Sequence, residues 1–137
     1  MKIPMAILAD EANVSQEGKL NVMGIFDRIT AAAFPVVHPK LIFAFRVQAD
    51  AADGGRTFPV EITMEAPDGT VIFDANGEIG APLVPAGEFT TFNQLFNLVG
   101  LQFPVAGVYR FIVRIENEVR EAPLIVEAAP VGDPTLN

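Results

Sequence analysis

Leu41-Ile42-Phe43-Ala44-Phe45-Arg46-Val47-Gln48-Ala49-Asp50 sets Leu41, Phe43, Phe45, Val47 and Ala49 at odd positions and Arg46, Gln48 and Asp50 at even ones. Successive side chains of a strand point to opposite faces, so this alternation describes a strand with one buried and one wetted face. The habit recurs in residues 58–66, where Phe58, Val60, Ile62 and Met64 alternate with Pro59, Glu61, Thr63 and Glu65. It recurs again in residues 108–116, where Tyr109, Phe111, Val113 and Ile115 alternate with Arg110, Arg114 and Glu116. Strands that bury one face and wet the other belong to antiparallel sheets.

Working outward, the runs are separated by Asp53-Gly54-Gly55, Asp68-Gly69, Asn76-Gly77 and Ala106-Gly107, residues that tolerate the positive φ of turns. The 11 Pro residues gather at the edges of runs, where a missing N–H does least harm to a ladder. About eight strands result, near residues 3–9, 19–29, 41–50, 57–66, 70–75, 88–101, 108–116 and 119–127. That count predicts an all-β, two-sheet antiparallel β-sandwich over residues 1–128, immunoglobulin-like in style, with a closed β-barrel as the alternative. Residues 30–33 have room for one helical turn before Phe34-Pro35, and residues 129–137 read as a flexible tail.

Composition narrows the chemistry. The 137 residues are 50% hydrophobic, include 11 Phe and carry 17 acidic against 9 basic side chains, a formal charge of −8. Such a surface repels phosphate backbones and anionic lipid, so neither a nucleic-acid nor a membrane partner is expected. With no Cys, one His and one Ser, there are no disulfides, thiolate metal sites or Cys nucleophiles, and no cofactor is expected. The apolar run at the N-terminus is broken by Pro4 and ended by Asp10-Glu11, so it reads as a first strand rather than a leader. Cytoplasmic placement is the resulting expectation.

Several phrases stand in a telling order: Ile7-Leu8-Ala9-Asp10, then Gly18-Lys19-Leu20-Asn21-Val22-Met23-Gly24-Ile25-Phe26-Asp27-Arg28-Ile29. Phe34-Pro35 with His38-Pro39, Pro67-Asp68-Gly69 and Gly107-Val108-Tyr109-Arg110-Phe111 follow. Together, over residues 7–126, they resemble a family of small bacterial β-sandwich proteins known only as a domain of unknown function. The resemblance implies a fold and no activity. The closing Gly-x-Tyr-x-Phe phrase is also similar to the last two strands of immunoglobulin-like sandwiches. Read from the residues themselves, Gly24 inside a strand marks a bulge or close backbone approach, and Tyr109 buries its ring and sends its hydroxyl to the main chain.

Candidate chemistry is thin. His38, the only imidazole, sits between Val37 and Pro39 in an expected loop, and Ser15 is the only hydroxyl of its kind to serve as its nucleophile. Asp74-Ala75-Asn76-Gly77-Glu78 is a fragment of a calcium-loop pattern, but Ile79, Ala81 and Pro82 follow where further ligands belong, so a plain turn is the better reading. Asp10 and Glu11 could meet Asp50 and Asp53 at one end of a sandwich. Glu61, Glu65, Glu88 and Asp74 are the acids a carboxylate-based hydrolase would have to bring together.

The least ordinary stretch is 88–103. Phe89, Leu95, Val99, Leu101 and Phe103 occupy one set of positions and Phe92, Phe96 and Leu98 the other. Three explanations stand open: a strand covered on both sides, a bulge that switches faces, or a surface awaiting a partner. On the last, Phe92, Phe96 and Leu98 form the candidate interaction surface. The functional expectation is therefore a non-enzymatic protein-interaction or accessory module, partnered by another protein or by its own copies. A small-ligand carrier with a Phe-lined cavity and the hydrolase are the rivals.

Overall fold

The computed structural model describes residues 1–130. Within them nine strands form two stacked sheets, and no barrel closes. The strands are β1 (Lys2–Val14), β2 (Leu20–Ile25), β3 (Arg28–Ala31), β4 (Val36–Asp50), β5 (Thr57–Glu65), β6 (Val71–Gly80), β7 (Phe89–Phe103), β8 (Gly107–Ile115) and β9 (Glu118–Ala128). One sheet runs β2-β1-β4-β7 and the other β3-β9-β8-β5-β6. The adjacency of β1, β4 and β7 matches A, B and E of an immunoglobulin-type sandwich, and β5-β8-β9 matches C-F-G. Beyond β7, where a strand D would lie, the described residues supply no strand.

The alternating rows fill the space between the sheets. Leu41, Phe43, Phe45, Val47 and Ala49 of β4 meet Phe58, Val60, Ile62 and Met64 of β5 and Tyr109, Phe111, Val113 and Ile115 of β8 in one core. Phe43 reaches across to Phe111 at 6.0 Å between ring centroids. Burying each large apolar side chain contributes about 1.5–3 kcal/mol, so these three rows dominate the stability of the fold. Tyr109 is fully buried, as its place in the Gly-x-Tyr-x-Phe phrase predicts. Its hydroxyl donates to the Val105 carbonyl (2.7 Å) and accepts from the Val105 N–H (3.2 Å), the tyrosine corner of immunoglobulin-type sandwiches.

Several elements differ from the sequence reading. The single strand expected over 19–29 is two strands in different sheets, divided at Phe26-Asp27. Residues 30 and 31 are not helical: β3 lies parallel to β9, Thr30 beside Glu127 and Ala31 beside Ala128, the one parallel pair among the described strands. His38 is not in a loop, because β4 begins at Val36 and pairs His38 with Leu101. Asn76-Gly77 is not a turn: β6 runs through it, held in register by Glu61 and Val60 of β5. Of the tail expected at 129–137, residues 131–137 lie outside the described residues.

The two outer faces are built differently. On the five-stranded sheet, Arg110 pairs with Glu65 (2.7 Å) and Arg114 with Glu61 (3.2 Å), while Ile112 is buried on the same face. On the four-stranded sheet, Ile42 and Ala44 point away from the core row yet are 2% and 0% exposed. The β1–β2 hairpin covers them. Its Gly18 carbonyl accepts from the Asn93 side-chain amide of β7 (3.2 Å), a contact the hairpin tip can make only by crossing over β4.

Candidate functional site

β7 reads Phe-Thr-Thr-Phe-Asn-Gln-Leu-Phe-Asn-Leu-Val-Gly-Leu-Gln-Phe, with no Asp, Glu, Lys, Arg, His or Pro in it. One side of it pairs with β4 from Phe89 beside Asp50 to Phe103 beside Val36. The other side is the rim of the four-stranded sheet. A rim strand presents a row of free N–H and C=O groups, and proteins usually blunt it with charge, Pro or brevity. The remaining rims obey that rule in varying measure: β3 is 4 residues long, β2 is 6 and bent, and β6 carries Asp74 and Glu78. β7, with 15 residues, carries no such guard.

Its two apolar sets are explained by a switch of faces. From residue 90 to 98 the even positions face the opposite sheet, with Phe92, Phe96 and Leu98 packed against the core. At Gly100, whose φ is 66°, the backbone turns over, and the odd positions Leu101 and Phe103 become buried instead. A side chain at that φ is disfavoured, which is why the switch falls on Gly. Phe92, Phe96 and Leu98 are thus half-buried at the open flank of the core rather than standing on the outer face. The outer row holds Phe89 and Val99, 64% and 78% exposed, with Thr91, Asn93, Leu95 and Asn97 between them.

Where β7 and β6 part, Phe96 stacks on Phe73 at 6.1 Å, and a cavity of about 170 Å³ opens between Phe45, Val60, Ile62, Ile79, Gln94 and Phe96. Small-molecule sites usually enclose about 300–1,000 Å³, so this opening is small for one. Larger openings of about 310 Å³ beside Leu8 and Phe26 and about 440 Å³ beside Met5, Ile7 and Arg46 are lined by one Phe and by none.

The other candidate residues do not converge. His38 lies 5.7 Å from the Phe26 ring, and the Ser15 hydroxyl oxygen accepts from the Lys19 N–H (3.1 Å) at the hairpin tip. Glu11 is paired with Lys40 (3.0 Å), and Asp10 packs on Gly24, whereas Asp50 ends β4 and Asp53 lies in the turn just after it, at the far end of the sheet. Glu61 and Glu65 are held by arginines on an outer face, Asp74 sits beside Thr63 on β6, and Glu88 is exposed. No three His, Asp or Glu side chains among the described residues are grouped to hold a metal ion, and the calcium-loop fragment is extended strand.

Nothing in the alternation announced that β7 is a rim; only its missing charge hinted at it. The N-terminal amine of Met1, 3.0 Å from the Asp53 carboxylate, is a further contact that sequence reading did not find. No helix among the described residues is long and apolar enough to cross a membrane. A family model described as Family of unknown function (DUF6941) matches residues 4–127. No curated protein matches the chain.

Proposed function

Because the chain belongs to this family of unknown function, membership brings no activity with it, and we propose from its own residues that it is a non-enzymatic protein-interaction module working by strand addition at β7. The observation that carries this reading is the 15-residue uncharged rim strand. In strand addition the free main-chain groups supply affinity and the flanking side chains supply choice of partner. Phe89, Leu95 and Val99 would meet the partner on the outer face, and Phe92, Phe96 and Leu98 would meet it at the open flank of the core.

The test places charge on the outer row without disturbing the core. Thr91→Lys with Asn97→Lys, checked for an unchanged fold by circular dichroism, is compared with the unaltered chain by size-exclusion chromatography with light scattering. Loss of association in the lysine variant supports the reading. Association that survives both lysines, or an unaltered chain that is monomeric with β7 amides unprotected in every mixture with its physiological partners, removes it.

A further inference from the structure

The rim strand has an internal symmetry that names its occupant, and the inference rests on the strand-addition reading above. Counting outward from Gln94, Phe92 and Phe96 are equally distant, Thr91 and Asn97 are, and so are Phe89 and Val99. Two antiparallel strands related by a two-fold axis place residue i opposite j and j opposite i. We infer that β7 pairs with β7 of a second copy of this chain about an axis through Gln94.

In that register every large apolar residue on β7 between 89 and 99 except Leu95 and Leu98 finds an apolar or aromatic mate. Phe92 lies opposite the mate's Phe96 on the half-buried row, and Phe89 lies opposite the mate's Val99 on the outer row. Phe89 and Val99 are the two large apolar side chains that β7 leaves exposed, at 64% and 78%, and the same operation covers both. Leu98 faces Thr90, and Leu95 faces Asn93. Aromatic and β-branched cross-strand pairs of this kind stabilise a ladder by about 0.2–1 kcal/mol each, beyond the main-chain hydrogen bonds.

Charge selects the same contact. Each copy carries −8, so two copies repel over most of their surfaces. Along β7 there is no charge to oppose, whereas an antiparallel β6–β6 contact would bring Asp74 and Glu78 of one copy against those of the other. The result is one sheet running continuously through both copies, with the free N–H and C=O row of each β7 satisfied by the other.

Absence of Cys makes the register directly readable. Thr91→Cys and Asn97→Cys, each on the outer row, are prepared as separate full-length chains and mixed under mild oxidation. Directly opposed cross-strand positions bring Cβ atoms within the reach of a disulfide. The expected result is a dimeric mass by light scattering and at least 10-fold more cross-linked dimer in the mixture than in either variant alone. A dimer that instead links Leu95→Cys with Asn97→Cys is paired about Phe96 and overturns the register, while strand addition stands. A chain that is monomeric alone but gains protection of β7 amides from another polypeptide overturns the second copy and again leaves strand addition standing. A dimer unaffected by Thr91→Lys with Asn97→Lys overturns both.

Discussion

The carboxylate of Asp10 occupies the space that a side chain at Gly24 would need. Gly24 also holds a φ of 71°, where an L side chain is strained by roughly 1–2 kcal/mol. These two facts concern the same bend, the place where β1 leaves β4 after Ala9 and carries the hairpin over the outer face. Gly24→Ala is therefore expected to destabilise the chain by more than the backbone cost alone. Adding Asp10→Ala should return the part of the steric cost owed to the carboxylate and leave the backbone part and the tight contact with the residue-10 Cβ (3.1 Å), a coupling of roughly 0.5–3 kcal/mol in a double-mutant cycle measured by urea unfolding. Strictly additive effects would mean that Asp10 moves aside without cost.

Tyr109→Phe leaves the ring packed 4.9 Å edge-on to Phe103 and removes only the hydroxyl. Both the Val105 carbonyl and the Val105 N–H lose their partner in a partly buried corner. A loss of about 1–3 kcal/mol in unfolding free energy is expected, with the fold unchanged. A change below a few tenths of a kcal/mol would show that water replaces the hydroxyl freely.

What could be read beforehand and what could not divide along a physical line. The rows at 41–49, 58–64 and 109–115 were legible because each strand buries one face and wets the other, and that is local information. The break at Phe26-Asp27 was not, because Asp27-Arg28 between Phe26 and Ile29 reads as well as the wetted part of one strand as the end of it, and what changes is the pairing partner, from β1 to β9. His38 looked like a loop residue because of Pro39, but the β1–β4 ladder has already ended at Ala9 and Ile42, so β4 tolerates a missing N–H there. Asn76-Gly77 looked like a turn until β5 supplied a registered partner along its length. The candidate surface residues Phe92, Phe96 and Leu98 all lie on β7, the rim strand. Their placement on the half-buried row depends on the face switch at Gly100, which alternation alone leaves undetermined.

Arg46 and Asn93 oppose each other in the β4–β7 ladder, and the Arg46 Nε and Asn93 Oδ1 are both buried without a hydrogen-bond partner. A buried donor without an acceptor costs about 1–3 kcal/mol, so removing it offsets part of the packing that is lost with the side chain. Arg46→Met is expected to change stability by less than about 1 kcal/mol, far from the 3–5 kcal/mol of a core Phe→Ala. Asn93→Ala instead releases the Gly18 carbonyl and should speed amide hydrogen exchange in the hairpin around residues 15–20. A large loss from Arg46→Met would show that Nε is satisfied by ordered water.

Asp53 gives the fold a pH dependence of definite sign. The Asp50 main-chain N–H donates to its carboxylate (3.0 Å), and this bond, against the opposing push of burial and with help from the Met1 amine, holds the carboxyl below its ordinary range. A carboxyl whose pKa is lower folded than unfolded binds fewer protons when folded, so its stabilisation is full above the unfolded value of about 4. That contribution is lost as pH falls from there through the folded value. Unfolding free energy measured by urea at pH 7 and at steps down to pH 2 should therefore decline more steeply for the unaltered chain than for Asp53→Asn, whose amide cannot titrate. Asp68 is shifted the same way by the Thr70 N–H, but it is exposed, so Asp68→Asn should alter the curve less. Parallel curves for the unaltered chain and Asp53→Asn would remove Asp53 as the source.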